Sequence, residues 1–169
     1  MKPMTENEKL RPNWRRNWLG SIQEFADLDT QQRLWLDPNI SNPHYTWVEY
    51  ICCYFDGLAV FDDPAALGDG YAVAREQGLI TADEAAAVEP FHAILNAYEA
   101  PGKDDYDHQA ILADPKWREV VAAANSAQSA LIPLIHDPDE RRALTETSIY
   151  AVRAGAEEIG DSALLEGAP

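Results

Sequence analysis

Apolar positions recur at helical spacing along most of this chain. Trp47, Tyr50, Ile51, Tyr54, Phe55 and Leu58 fall at i, i+3, i+4, i+7, i+8 and i+11, with Glu49 and Asp56 opposite them. That spacing predicts an amphipathic helix. Val88, Phe91, Leu95 and Tyr98 trace a second stripe, and Pro90 is expected to kink or divide it because its ring clashes with the preceding turn. Trp117, Val120, Val121, Ala124, Gln128 and Leu131 continue the pattern on a long Ala-rich helix. Leu144, Ser148 and Ala151 mark a last helix expected to end near Gly155. Alternation at period two, with β-branched enrichment, appears nowhere at useful length. The pattern therefore predicts an all-α single compact domain of about six or seven helices.

Local chemistry supplies the punctuation. Asp-Pro steps stand at Asp37-Pro38, Asp63-Pro64, Asp114-Pro115 and Asp137-Pro138. An Asp side chain accepts from free N–H groups at a helix start, and Pro fits the first helical position, where no donor is needed. Capping boxes are expected at Ser21-x-x-Glu24, Thr46-x-x-Glu49 and Thr81-x-x-Glu84, with Tyr45 and Tyr50 as a hydrophobic staple on the second. Gly78 reads as a left-handed stop with Leu79 folding back on the helix before it. These signals divide the chain into a flexible N-terminal segment (1–13), an all-α domain (14–156) and a short mobile acidic tail (157–169). Within the domain, Ala100 to Asp107 is the expected hinge, and no internal repeat is present.

Charge changes the picture more than composition does. The chain of 169 residues is 46% hydrophobic, ordinary for a folded domain, but carries a formal charge of -16. Up to Arg33 there are six basic and five acidic residues; from Leu34 onward there are seven and 24. A surface this acidic repels nucleic acid and anionic membrane and attracts a basic protein. No apolar run reaches the length of a membrane span, and the N-terminus shows no signal-peptide pattern. The only cysteines, adjacent Cys52 and Cys53, cannot staple distant segments, which fits a reducing cytoplasm. A soluble, cytoplasmic, bacterial-style protein is the expectation.

Candidate chemistry is sparse. Glu89-x-x-His92, with Asp105-x-x-His108 as a weak second half, has the spacing of a carboxylate–histidine metal site, but Pro90 interrupts it. His44, His92, His108 and His136 lack zinc-ligand spacing, and the acidic clusters lack the calcium-loop pattern. Cys52 and Cys53 sit mid-helix beside Glu49 and Asp56, where thiolates are disfavoured, so they read as packing residues. Trp14 and Trp18, flanking Arg15-Arg16, read as part of a first helix laid across the acidic body; a docking arm is the sharper alternative. No P-loop, nucleophile elbow, dinucleotide fingerprint or zinc-protease motif is present, and no cofactor is expected.

The function expected on these grounds is an acidic binding protein, of inhibitor or immunity type, covering a basic partner such as a nuclease toxin. Asp104, Asp105 and Asp107, with Asp62 and Asp63, are the candidate partner-binding residues. Helix capping accounts for Asp62 and Asp63 but leaves the Asp104–Asp107 loop without a local role. A non-catalytic helical adaptor, with homo-oligomerisation, is the first alternative. A metal enzyme using Glu89 and His92 is the second.

Overall fold

Helix α1 (Glu6–Ala26) is the element against which four others pack in the computed structural model, which describes residues 2–58 and 71–148. It starts at Thr5, whose Oγ1 accepts from the Glu8 N–H at 3.3 Å while the Glu8 carboxylate accepts from the Thr5 N–H at 2.7 Å. The capping box of this helix is thus Thr5-x-x-Glu8. Ser21, expected to open a helix, is buried in the interior of α1. The reason is continuity of the core stripe: Trp14, Trp18, Leu19, Ile22 and Phe25 are all buried, so the helix runs unbroken across the boundary placed at residue 13. The exposed Pro12 is accommodated inside it.

Helix α2 (Leu28–Trp35) follows directly, capped by Asp27, which accepts from the Thr30 N–H at 3.0 Å. Asp37-Pro38 then makes a turn rather than a helix start: Asp37 accepts from the Asn39 N–H at 2.9 Å through its carboxylate and from the Ile40 N–H at 3.2 Å through its carbonyl. Helix α3 (Trp47–Leu58) buries Trp47, Tyr50 and Tyr54 and half-buries Ile51, Phe55 and Leu58. Thr46 Oγ1 accepts from the Glu49 N–H at 3.2 Å. Cys52 and Cys53 are exposed, not packed. Asp62 and Asp63 lie outside the described residues, as does the acidic tail 157–169.

Helix α4 (Ala72–Glu76) ends as its glycine requires. Gly78 has φ +70°, its N–H donates to Arg75 O at 3.0 Å, and the Leu79 N–H reaches back to Ala74 O at 2.9 Å. Helix α5 (Ala82–Asn96) opens on the Thr81–Glu84 box and runs continuously through the exposed Pro90, which does not divide it. Helices α6 (His108–Ala113), α7 (Pro115–Leu131) and α8 (Pro138–Thr145) are capped by Asp107, Asp114 and Asp137. Helix α8, the last among the described residues, stops at Thr145, where Glu146 is already extended. Ala151 and Gly155 lie outside the described residues.

Eight α-helices and no strand are thus found among the described residues, one more helix than the upper expectation. α1 and α5 both pack on α7, and α3 and α8 pack on α1. At the centre, Trp117 is fully buried, with Phe25, Trp35, Trp47 and Tyr98 ringing it at centroid distances of 5.1–6.5 Å. Its indole N–H donates to Gln31 Oε1 at 3.0 Å, while Gln31 Nε2 donates to the carbonyls of Glu24 and Phe25. One buried amide thus satisfies the central indole and two carbonyls at the end of α1. No helix among the described residues is long and apolar enough to cross a membrane.

Candidate functional site

The acidic loop between α5 and α6 is an ordered turn. Gly102 and Lys103 have φ of +64° and +56°, consecutive left-handed residues that reverse the chain. For Lys103, which has a Cβ, this conformation costs roughly 1–3 kcal/mol that surrounding contacts must offset. The Lys103 N–H donates to Ala100 O at 3.0 Å, Asp104 Oδ1 accepts from the Tyr106 N–H at 3.0 Å, and Asp107 Oδ1 accepts from the Ala110 N–H at 3.0 Å. The last two bonds correct the expectation that local structure leaves this acid unexplained. Asp104 closes the turn and Asp107 caps α6. Asp105 and Tyr106 project outward, and Tyr106 is 72% exposed.

The histidines are dispersed, and His44, His92 and His108 are engaged. His108, at the foot of the turn, faces inward: Nε2 accepts from the Trp47 N–H at 3.4 Å, and the ring lies 5.6 Å from Trp35. Burial lowers its pKa. His92 Nδ1 lies 3.0 Å from the Tyr54 hydroxyl, which lies 2.5 Å from the Tyr71 hydroxyl; Tyr71 in turn accepts from the Trp18 indole at 3.0 Å. Burial also lowers the His92 pKa, and Glu89, exposed on the same helix, only opposes it. His44 Nε2 lies 2.7 Å from the Glu24 carboxylate, a hydrogen bond that raises the His44 pKa against its partial burial. His136 is exposed. No group of three His, Cys, Asp or Glu among the described residues is placed to hold a metal ion.

The buried charge cluster was missed by sequence reasoning. Arg15 is 3% exposed, and all five of its N–H donors are engaged. Nε and Nη2 donate to Glu140 at 2.8 and 3.0 Å; Nη1 and Nη2 donate to Glu84 at 2.9 and 2.7 Å; Nη1 also donates to Leu79 O at 2.8 Å. Burial disfavours the charge, yet the two carboxylates outweigh it and raise the Arg15 pKa. For Glu84 burial likewise opposes ionisation, and the bonds from Arg15 and Thr81 lower its pKa nonetheless. The available signal was positional: Arg15 falls in line with Leu19 and Ile22, and Glu84 with Val88, Phe91 and Leu95. A charge on an apolar stripe asks for a buried partner. Trp14 and Trp18, buried beside Arg15 and stacked at 5.6 Å, belong to this core and not to a free arm.

A cleft of about 850 Å³ runs between α1, α3 and the end of α8. Leu10, Trp14, Leu58 and Leu79 give it apolar walls; Asn13, Arg16, Asn17, Glu24, His44, Arg142 and Glu146 line its polar parts. Cys53 also lines it, and burial together with Glu24, Glu49 and Asp56 raises that thiol's pKa. This is the opposite of what an attacking thiolate needs. No family model, curated protein or solved structure matches the chain.

Proposed function

We propose that this chain is an acidic, non-catalytic binding protein that covers a basic protein partner, in the manner of an inhibitor or immunity protein acting on a nuclease toxin in the cytoplasm. The observation that carries the reading is Tyr106, 72% exposed at the tip of an internally hydrogen-bonded turn and flanked by Asp104, Asp105 and Asp107. Interface energy concentrates in aromatic anchors, while surrounding charge steers the encounter. Here the anchor and the charge share one preorganised turn, so little ordering cost falls on association. The net charge of -16 extends the attraction beyond the turn itself.

The test separates the turn's structural acids from its available one. Immobilised full chain is exposed to lysate of the source cells, bound protein is eluted with a salt gradient, and the capture is repeated with Asp105→Lys and Tyr106→Ala. The reading predicts a stoichiometric basic protein released by salt, slower association with Asp105→Lys and faster dissociation with Tyr106→Ala. A partner held equally by both variants, or no stoichiometric partner, rejects it. Asp104 and Asp107 are unsuitable first targets, since replacing them also removes backbone hydrogen bonds.

A further inference from the structure

The cleft between α1, α3 and the end of α8 is lined by two solvent-exposed charges of opposite sign. Arg16 and Glu146 both line it, and neither side chain has a hydrogen-bond or ion-pair partner among the described residues. The other charged groups of the lining are committed: His44 to Glu24 at 2.7 Å, and Arg142 to Asp139. Arg16 and Glu146 thus offer a cation and a carboxylate in one cleft, neither paired with the other.

Two glycines make the same point from backbone chemistry. Gly20 in α1 and Gly57 in α3 both line the cleft, and a Cβ at either would meet nothing within 4 Å. Neither has positive φ, so neither turn geometry nor internal crowding accounts for a residue that weakens a helix interior. What glycine provides here is open space above the backbone, in a cavity whose volume of about 850 Å³ falls in the range of small-molecule sites.

We propose that the cleft binds a small zwitterion with an aromatic or branched apolar body, a free apolar amino acid or a dipeptide of such residues. Arg16 takes the carboxylate, flanked by the amides of Asn13 and Asn17 on the same helix, and Glu146 takes the ammonium group. The walls of Leu10, Trp14 and Leu58 take the apolar body. The proposal uses no residue of the acidic turn and stands or falls independently of it.

The full chain is titrated calorimetrically with L-phenylalanine, L-leucine and leucyl-leucine. 3-Phenylpropionate (no ammonium) and phenethylamine (no carboxylate) serve as single-charge probes. The expected result is saturable binding of a zwitterion with a dissociation constant below about 1 mM, and at least tenfold weaker binding of the single-charge analogues. Arg16→Gln and Glu146→Gln, both at exposed positions, should each weaken binding about tenfold without changing near-UV circular dichroism, in line with the loss of one charged hydrogen bond. Gly20→Leu should abolish binding while melting no lower than wild type. Tighter binding of leucyl-leucine assigns the ligand to peptides, and tighter binding of the amino acids to the free pool. No saturable binding, as when a second copy or another part of the chain covers the cleft, overturns the proposal. So do single-charge analogues that bind as well as the zwitterions, or a Gly20→Leu protein that binds unchanged.

Discussion

Two acidic regions of this protein use the same carboxylate chemistry to opposite ends. At the junction of α1, α5 and α8, Glu84 and Glu140 converge on one buried guanidinium, and every donor of that cation has an acceptor. In the turn between α5 and α6, Asp104, Asp105 and Asp107 stand in water, two of them bonded only to nearby backbone N–H groups. What differs is burial, and burial sets what the charge is worth. Ion pairing in water contributes little, whereas removing one partner from a buried cluster strands the others without solvation. The first region ties three helices together; the carboxylates of the second remain in solvent. Counting acidic residues along the chain cannot separate the two.

Breaking the buried cluster should give the largest effect. Arg15→Met is expected to destabilise the fold by about 3–5 kcal/mol, read from urea denaturation, because Glu84 and Glu140 lose their shared cation. Its pH dependence makes the comparison sharper. In the wild type the Glu84 pKa is lowered, so the stabilisation is present above the ordinary glutamate range and is lost as pH falls through the folded value. Without Arg15, only the Thr81 N–H and Arg11 oppose the burial that disfavours Glu84 ionisation. The variant should then lose less stability on acidification than the wild type. An Arg15→Met protein with wild-type midpoint and slope would show that the cluster contributes nothing.

The half-exposed pair of His44 and Glu24 lies between these extremes. The raised His44 pKa means that its contribution is complete below the unfolded value of about 6.5 and is lost as pH rises through the folded value. Chemical denaturation at intervals from pH 5.5 to 8.5 should show stability declining across that window. The decline should be shallower in His44→Gln. Equal slopes in the two proteins would remove the pair from the account.

The smallest effect is expected at the turn. Asp105→Asn should change stability by no more than about 0.5 kcal/mol, since its side chain supports no backbone group. Asp107→Ala should cost about 1 kcal/mol by uncapping α6. Equal losses for both would mean that Asp105 is tied into the fold after all and would weaken its assignment to a partner.

Much of the fold was legible from local rules. The Thr81 box, the Gly78 stop and the Asp caps of α7 and α8 each depend on a few neighbouring residues, and each is where the chain indicates. The same rules failed where a longer-range contact decided the outcome. Ser21-x-x-Glu24 has the letters of a capping box, but Ile22 and Phe25 continue a stripe begun at Trp14, so packing carries α1 straight through. Asp37-Pro38 has the letters of a helix start and becomes a turn. The candidate site was less legible. The sequence placed acid at 104–107, but whether each carboxylate caps, closes a turn or faces solvent depends on where the neighbouring N–H groups point.

By itself the sequence determined that the chain is helical, where α3, α5, α7 and α8 begin and α4 ends, and that its charge is strongly negative. These properties are set by neighbours within one or two turns, or by composition alone. Only the tertiary structure decided which charges are buried together, that Gln31 satisfies Trp117 across 86 residues, and that Arg16 and Glu146 share a cleft unpaired. Such pairings join residues that local periodicity cannot relate, and their energies depend on burial that exists only once the helices have packed.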